Sequence, residues 1–206
     1  MDKKKLGLNA LIVLAVLIVI LFAYSVLSFF NDKTGSSFPK IKSENPIIGK
    51  KSNEVVIIQY GDFQCPYCRE LADIFRNLND EYEGEIAIVW KDFPLHQIHD
   101  QSLNAAKAAR CAQKQDKFWQ MHDLLFQNQK KLTDDLYVPL ASGLDLDTDE
   151  FIQCVNNNET LALIQKDIEE GTSLGVQGTP HFFVNNYEIT ELIEEEELKD
   201  IIDSLL

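Results

Sequence analysis

The sequence is short of positive charge. Its 19 Lys and Arg stand against 33 Asp and Glu, a net charge of −14. A protein that neutralises phosphates needs a basic surface, so this balance argues against nucleic acid binding. Cysteine is scarce too: Cys65, Cys68, Cys111 and Cys154 are the only four. One close pair without a second leaves a structural zinc site two ligands short. Internal repeats and low-complexity segments are lacking, which sets aside solenoids and arrays. No A-x-A pattern follows the one long apolar run, and no cysteine lies near it to take a lipid. A lipoprotein is therefore excluded, and a cleaved signal peptide is disfavoured.

What is present at the N-terminus is a basic cluster, Lys3 to Lys5, followed by a charge-free stretch from Leu6 to Phe30. At about 1.5 Å rise per residue this stretch crosses a hydrocarbon core of roughly 30 Å with some tilt. It reads as an uncleaved signal anchor, with cleavage near Ser25–Ser28 as the alternative. Residues 1–5 then stay in the cytoplasm and everything beyond Phe30 lies outside it. Residues 31–45, with Gly, Ser, Pro and Lys among them, read as a linker, with a short first strand near Pro46–Ile48.

The globular part, residues 46–206, starts with "EVVIIQY", a β-branched run suited to a buried strand. "PYCRELADIFRNLNDEY" follows, with Leu71, Ile74, Phe75 and Leu78 at helical spacing. "EIAIVWKDF" is a second strand, so a β-α-β unit with a parallel pair is expected. From about 97 to 174 the pattern is helical, with caps expected at Asp147 or Thr148 and at Asn158. "HFFVNN" and "YEIT" flank a hairpin turn at Asn185–Asn186. Glu194–Glu197 open an amphipathic final helix, where acidic residues suit the N-terminus.

The chemistry centres on "CPYC". Cys65 falls at the strand end and Pro66 suits the first helical position, which puts Cys65 about where a helix N-cap would be. Unpaired N–H groups there favour a thiolate, making Cys65 both nucleophile and leaving group. Cys68 lies one turn on, within bonding distance. A metal half-site and a structural staple are the other readings, but a staple across so short a loop stabilises little. A second signal is "GVQGTPHFFV": Pro180 at a strand start cannot donate a ladder hydrogen bond, and suggests a special turn, a cis bond among the options.

Taken in order, "DFQCPYC", "KDFPLHQIH", "AARCAQKQDKFWQMHDLLF" and "GVQGTPHFFV" resemble the thioredoxin-fold thiol-disulfide oxidoreductases, closely their DsbA-like branch, over roughly Pro46 to Leu206. The resemblance implies an α/β thioredoxin fold with an inserted all-helical subdomain, here preceded by one transmembrane helix. It implies that Cys65 attacks and Cys68 is its buried partner. It implies that Thr179 precedes a cis Pro180 that packs beside the disulfide and presents backbone to substrate. Members of the branch usually oxidise protein thiols outside the cytoplasm. The implied partners are cysteine-containing proteins and a membrane protein that restores the disulfide. Neither a bound cofactor nor a metal is called for, and a monomer is expected. One departure is the Pro-Tyr dipeptide, where strongly oxidising members have Pro-His. Tyr67 brings no charge, so the most oxidising potential is not carried over. A reductase or isomerase is the alternative activity, and a tethered peptide-binding adaptor the alternative from another class.

Cys111 and Cys154 both fall in the helical stretch. Their pairing closes a long loop, worth roughly 4 kcal/mol on chain-entropy grounds. Two buried free thiols are the competing reading. His181 follows Pro180 and tunes Cys65 if its ring turns toward the sulfur, though alternation along a strand favours its facing elsewhere. His96 and His99 lack completing metal ligands, and His99 reads as a helix start. His122, Phe118, Trp119 and Phe126 read as core.

Overall fold

The computed structural model describes residues 16–25 and 38–206. Residues 16–25 are helical and lie inside the expected anchor. The rest of that anchor, residues 1–5 and the linker up to residue 37 fall outside the described residues. Among the described residues, no helix is long and apolar enough to cross a membrane. Residues 38–206 form a separate compact unit.

That unit is built on a five-stranded sheet in the order β1-β3-β2-β4-β5. Strand β1 (Ile47–Ile48) runs antiparallel to β3 (Ile86–Asp92). Strand β2 (Val55–Gly61) runs parallel to β3, in the register Val55 opposite Ile86 through Gly61 opposite Asp92. Helix α1 (Pro66–Glu81) is the crossover between them. It buries Leu71, Phe75 and Leu78 against one face of the sheet, the helical spacing read from the sequence. Strand β4 (His181–Val184) runs antiparallel to β2, and β5 (Tyr187–Ile189) returns beside β4. The two-residue turn between them puts Asn185 at φ +49°. Its side chain accepts from Val56 N–H and donates to Glu54 O, tying the turn to the start of β2. Helix α7 (Glu195–Asp203) closes the α1 face with Leu198 and Ile202, and its first turn is acidic as expected.

Five helices come between β3 and β4: α2 (Ser102–Gln113), α3 (Phe118–Gln127), α4 (Asp134–Gly143), α5 (Thr148–Asn156) and α6 (Leu161–Ser173). Asp147 caps α5, accepting from the N–H groups of Asp149 and Glu150. The cap expected at Asn158 is displaced: α6 starts after Thr160, and Asn158 occupies a turn with φ +53°. The insert has its own core, which includes Phe118, Met121, Leu125, Phe126 and Phe151. Cys111 and Cys154 are joined in a disulfide that staples α2 to α5.

Phe38 to Asn45, read from the sequence as part of a linker, are docked on the body by a buried ionic network. Arg110 lies between Asp92 and Asp167, with its guanidinium nitrogens 2.5 Å from a carboxylate oxygen of each. Lys91, wholly buried, pairs with Glu170 and donates to the carbonyl of Lys40 at 2.9 Å. Asn45 Nδ2 donates to Asp167 and Arg110 Nη1 to the Glu44 carbonyl. Strand β3, α2, α6 and the incoming segment therefore share one set of charges. Removing Arg110 leaves Asp92 buried without its cation and Asp167 with only Lys91, 3.8 Å away. Arg110→Met is expected to destabilise the fold by about 3–5 kcal/mol, read from the urea midpoint. A loss below about 1 kcal/mol would mean that the network adds little. The double variant Cys111→Ala, Cys154→Ala is expected to lose about 2–4 kcal/mol in the same measurement.

Candidate active site

Strand β2 is buried on both faces and delivers the chain to one edge of the helical insert. Gly61 at its end lies against the Trp90 indole: a Cβ there would stand 2.3 Å from the ring. The next four residues, Asp62 to Cys65, are held one by one. The buried Asp62 carboxylate accepts from Gln64 N–H at 2.7 Å, from Leu95 N–H at 2.8 Å and from His99 Nδ1 at 2.8 Å. Phe63 stacks on Trp90, with ring centroids 4.7 Å apart, and packs on Phe126. Gln64 Nε2 donates to Asp100. Gln129, on a 3₁₀ turn after α3, donates from its single Nε2 to the carbonyls of Phe63 and Cys65, each at 2.9 Å.

Cys65 takes the N-cap position of α1 with extended backbone, and Pro66 follows as the first helical residue. Both sulfurs are buried and unbonded to each other. The Cys65 thiol donates to the Thr179 carbonyl at 3.2 Å. The Thr179–Pro180 bond is cis, so the loop before β4 lies against the pair. The two thiols are treated unequally. Cys65 is pushed down to about 6, chiefly because the Cys68 thiol donates to its thiolate. Burial opposes this, while the Thr179 side chain and the N–H groups of Cys68 and Tyr67 add to it. Cys68 is pushed well up, first by complete burial and then by the adjacent Cys65. One sulfur is poised to attack or leave, and the other to hold its proton.

Tyr67 is 56% exposed beside the pair. His181 turns elsewhere. Its Nε2 lies 3.0 Å from Glu188 Oε1 on β5, and its ring packs on Phe183. Strand alternation is the reason. Phe182 points to the α1 side, where it meets Phe75, and the residues on either side of it take the opposite face. His99 does not start a helix: it precedes α2 and bonds Asp62. His122 is buried within the aromatic cluster of Phe63, Trp90 and Phe126 and is pushed down by burial. Among the described residues, no three His, Cys, Asp or Glu gather as metal ligands. The sequence reading singled out neither Asp62 nor Gln129. Asp62 had a signal, an acid three residues before a nucleophilic cysteine; Gln129 had none.

Absorbance of the reduced protein at 240 nm is expected to titrate Cys65 with a midpoint near 6. Gln129→Met removes both carbonyl bonds, loosens the helix start and is expected to move that midpoint up. An unchanged midpoint would separate Gln129 from the sulfur. A thiol whose folded pKa is depressed adds stability that is fully present above its unfolded value and lost as pH falls through the folded one. The stability difference between reduced protein and Cys65→Ser should therefore grow as pH rises from about 6 toward about 8.5.

A family model described as Thioredoxin matches residues 42–204. The chain is 36% identical to the Na(+)/H(+) antiporter NhaA 3 of Salinispora tropica, over 66% of this chain and 21% of that protein. It thus spans about a fifth of the length of that relative. It is 31% identical to the probable disulfide bond formation protein D of Bacillus cereus, over 89% of each. Among solved structures, BdbD from Bacillus subtilis superposes with a TM-score of 0.71 at 24% identity, covering 78% of this chain and 92% of that one. The thiol-disulfide exchange protein alpha-DsbA2 from Wolbachia pipientis gives 0.72 at 20% identity, covering 80% and 89%. Both likenesses are of fold. The chain belongs to the thioredoxin family.

Proposed function

We propose that this chain is a membrane-anchored, extracytoplasmic thiol-disulfide oxidoreductase that oxidises cysteine pairs in secreted or envelope proteins through Cys65 and Cys68. The observation that carries this reading is the geometry of the pair: Cys65 at the N-cap of α1, Cys68 buried one turn on, and the Thr179 carbonyl before the cis Pro180 3.2 Å from the Cys65 sulfur. A peptide-binding adaptor needs no such pair. The relative from Bacillus cereus, named for disulfide bond formation and matched over 89% of its length, supports the oxidising direction.

The cycle starts with the Cys65–Cys68 disulfide. A substrate thiolate attacks Cys65 Sγ, the Cys65–Cys68 bond breaks, and Cys68 leaves and takes up a proton. The mixed disulfide is then attacked on its substrate sulfur by a second substrate thiolate. Cys65 departs as thiolate, which its low pKa favours. Two electrons have passed from the substrate, now a disulfide, to the enzyme, now a dithiol. Thr179 and Pro180 present backbone beside the sulfur. A membrane partner withdraws the two electrons. The lysines before Leu6 and the apolar run to Phe30 support the anchor and the outward orientation, and an oxidising compartment suits the Cys111–Cys154 bond.

A redox titration of the pair in the full chain tests the direction. A potential above roughly −180 mV is expected; one near or below about −270 mV, the range of thioredoxin, would overturn the oxidase reading. Cys65→Ser is expected to abolish thiol oxidation altogether. If substantial activity persisted, a binding role would take its place.

A further inference from the structure

A cleft of about 460 Å3 opens beside the cysteine pair. Tyr67, Thr179 and Pro180 form its end at the sulfurs, and β5 with the segment after it forms the far wall. Its charge is of one sign. The acidic side chains lining it are Glu188 and Glu191, and no lysine or arginine lines it. Its other titratable side chains are the Tyr67 phenol and His181, and burial pushes His181 down, which favours the neutral ring. His181 therefore stands against Glu188 without cancelling its charge. The exposed Tyr67 ring adds an aromatic face of the kind that accepts a cation.

We propose that this cleft selects substrate segments carrying a lysine or arginine within a few residues of the reacting cysteine, with Glu188 and Glu191 as the selecting side chains. The inference rests on the oxidoreductase reading and adds substrate chemistry to it. A chain lying along Thr179 and Pro180 with its cysteine at Cys65 extends its next residues between Tyr67 and the two glutamates. A basic side chain there meets opposite charge and an aromatic ring, whereas an acidic one meets like charge with no cation to offset it. Both glutamates are exposed, so the discrimination is modest and sensitive to salt.

The test compares two dithiol peptides, alike except that lysines flank one cysteine in the first and glutamates in the second. Each is oxidised by the full chain in neutral detergent, and the readout is the ratio of kcat/KM values, which cancels any general loss of activity. At low salt the lysine peptide is expected to react about 3- to 10-fold faster, and at about 0.5 M salt the ratio should fall toward one. Glu188→Gln with Glu191→Gln should collapse the ratio. Glu83→Gln with Glu85→Gln removes the same charge beyond the far end of α1 and should leave it in place. Equal rates for the two peptides, or a ratio that survives the cleft variant or falls as much in the distant one, would overturn the proposal. A wild type that oxidises neither peptide would instead overturn the oxidoreductase reading itself.

Discussion

The start of α1 offers N–H groups with no helical partner, and those of Tyr67 and Cys68 draw the Cys65 thiol down toward its thiolate. As a thiol the Cys65 side chain makes no capping hydrogen bond; ionised, its sulfur holds the charge that a helix N-terminus favours. The rest of the unit serves to keep that sulfur there. Strand β2 is fixed on one side by parallel pairing with β3 and on the other by β4. Helix α1 cannot slide, because Leu71, Phe75 and Leu78 are locked against the sheet. The loop between them is held by the partners of the Asp62 carboxylate, the Gln64 side chain and the carbonyls of Phe63 and Cys65.

Those partners come mostly from the helical insert, which is therefore more than a cover. Leu95, His99 and Asp100 lie on the connection leading into it, and Gln129 lies between two of its helices. The insert is itself tied to the sheet by Arg110 and Asp167, which meet Asp92 at the end of β3. A buried ion network is a poor source of net stability compared with apolar packing. Its value is geometric: charges tolerate only one arrangement, whereas an apolar contact between α2, α6 and β3 could slip by a fraction of a turn. A slip of that size would carry Gln129 out of reach of the Cys65 carbonyl.

The parts of the fold legible in the sequence are local. Strand, CPYC and helix follow one another within a few residues, and helical spacing alone placed Leu71, Phe75 and Leu78. The Thr179–Pro180 turn was legible because proline reports on its own backbone. The Cys111–Cys154 pairing was legible because only two cysteines were left. What was hidden depends on contacts between distant segments. Arg110 read as one more helix residue in an alanine-rich run, yet it meets Asp167 across 57 positions. Gln129 reaches Cys65 across 64. His181 was open for the opposite reason: nearness in sequence to Pro180 suggested nearness to the sulfur, strand alternation argued for the other face, and the ring packs on Phe183.

Tyr67 bears on how far the thiolate can be stabilised. An imidazolium between the cysteines would add a full positive charge next to Cys65; a phenol adds none. What draws Cys65 down is a set of neutral groups: first the Cys68 thiol, then the Thr179 side chain and two backbone N–H groups. Each is a dipole at fixed range, and together they must overcome the cost of burying the sulfur. The lower the Cys65 pKa, the more the reduced enzyme is favoured and the stronger an oxidant its disulfide becomes. On the proposed reading, a site built from dipoles alone is a weaker oxidant than one assisted by a cation. Tightening the dipoles is the route left to it, which gives the hold on Asp62 to Cys65 its chemical purpose.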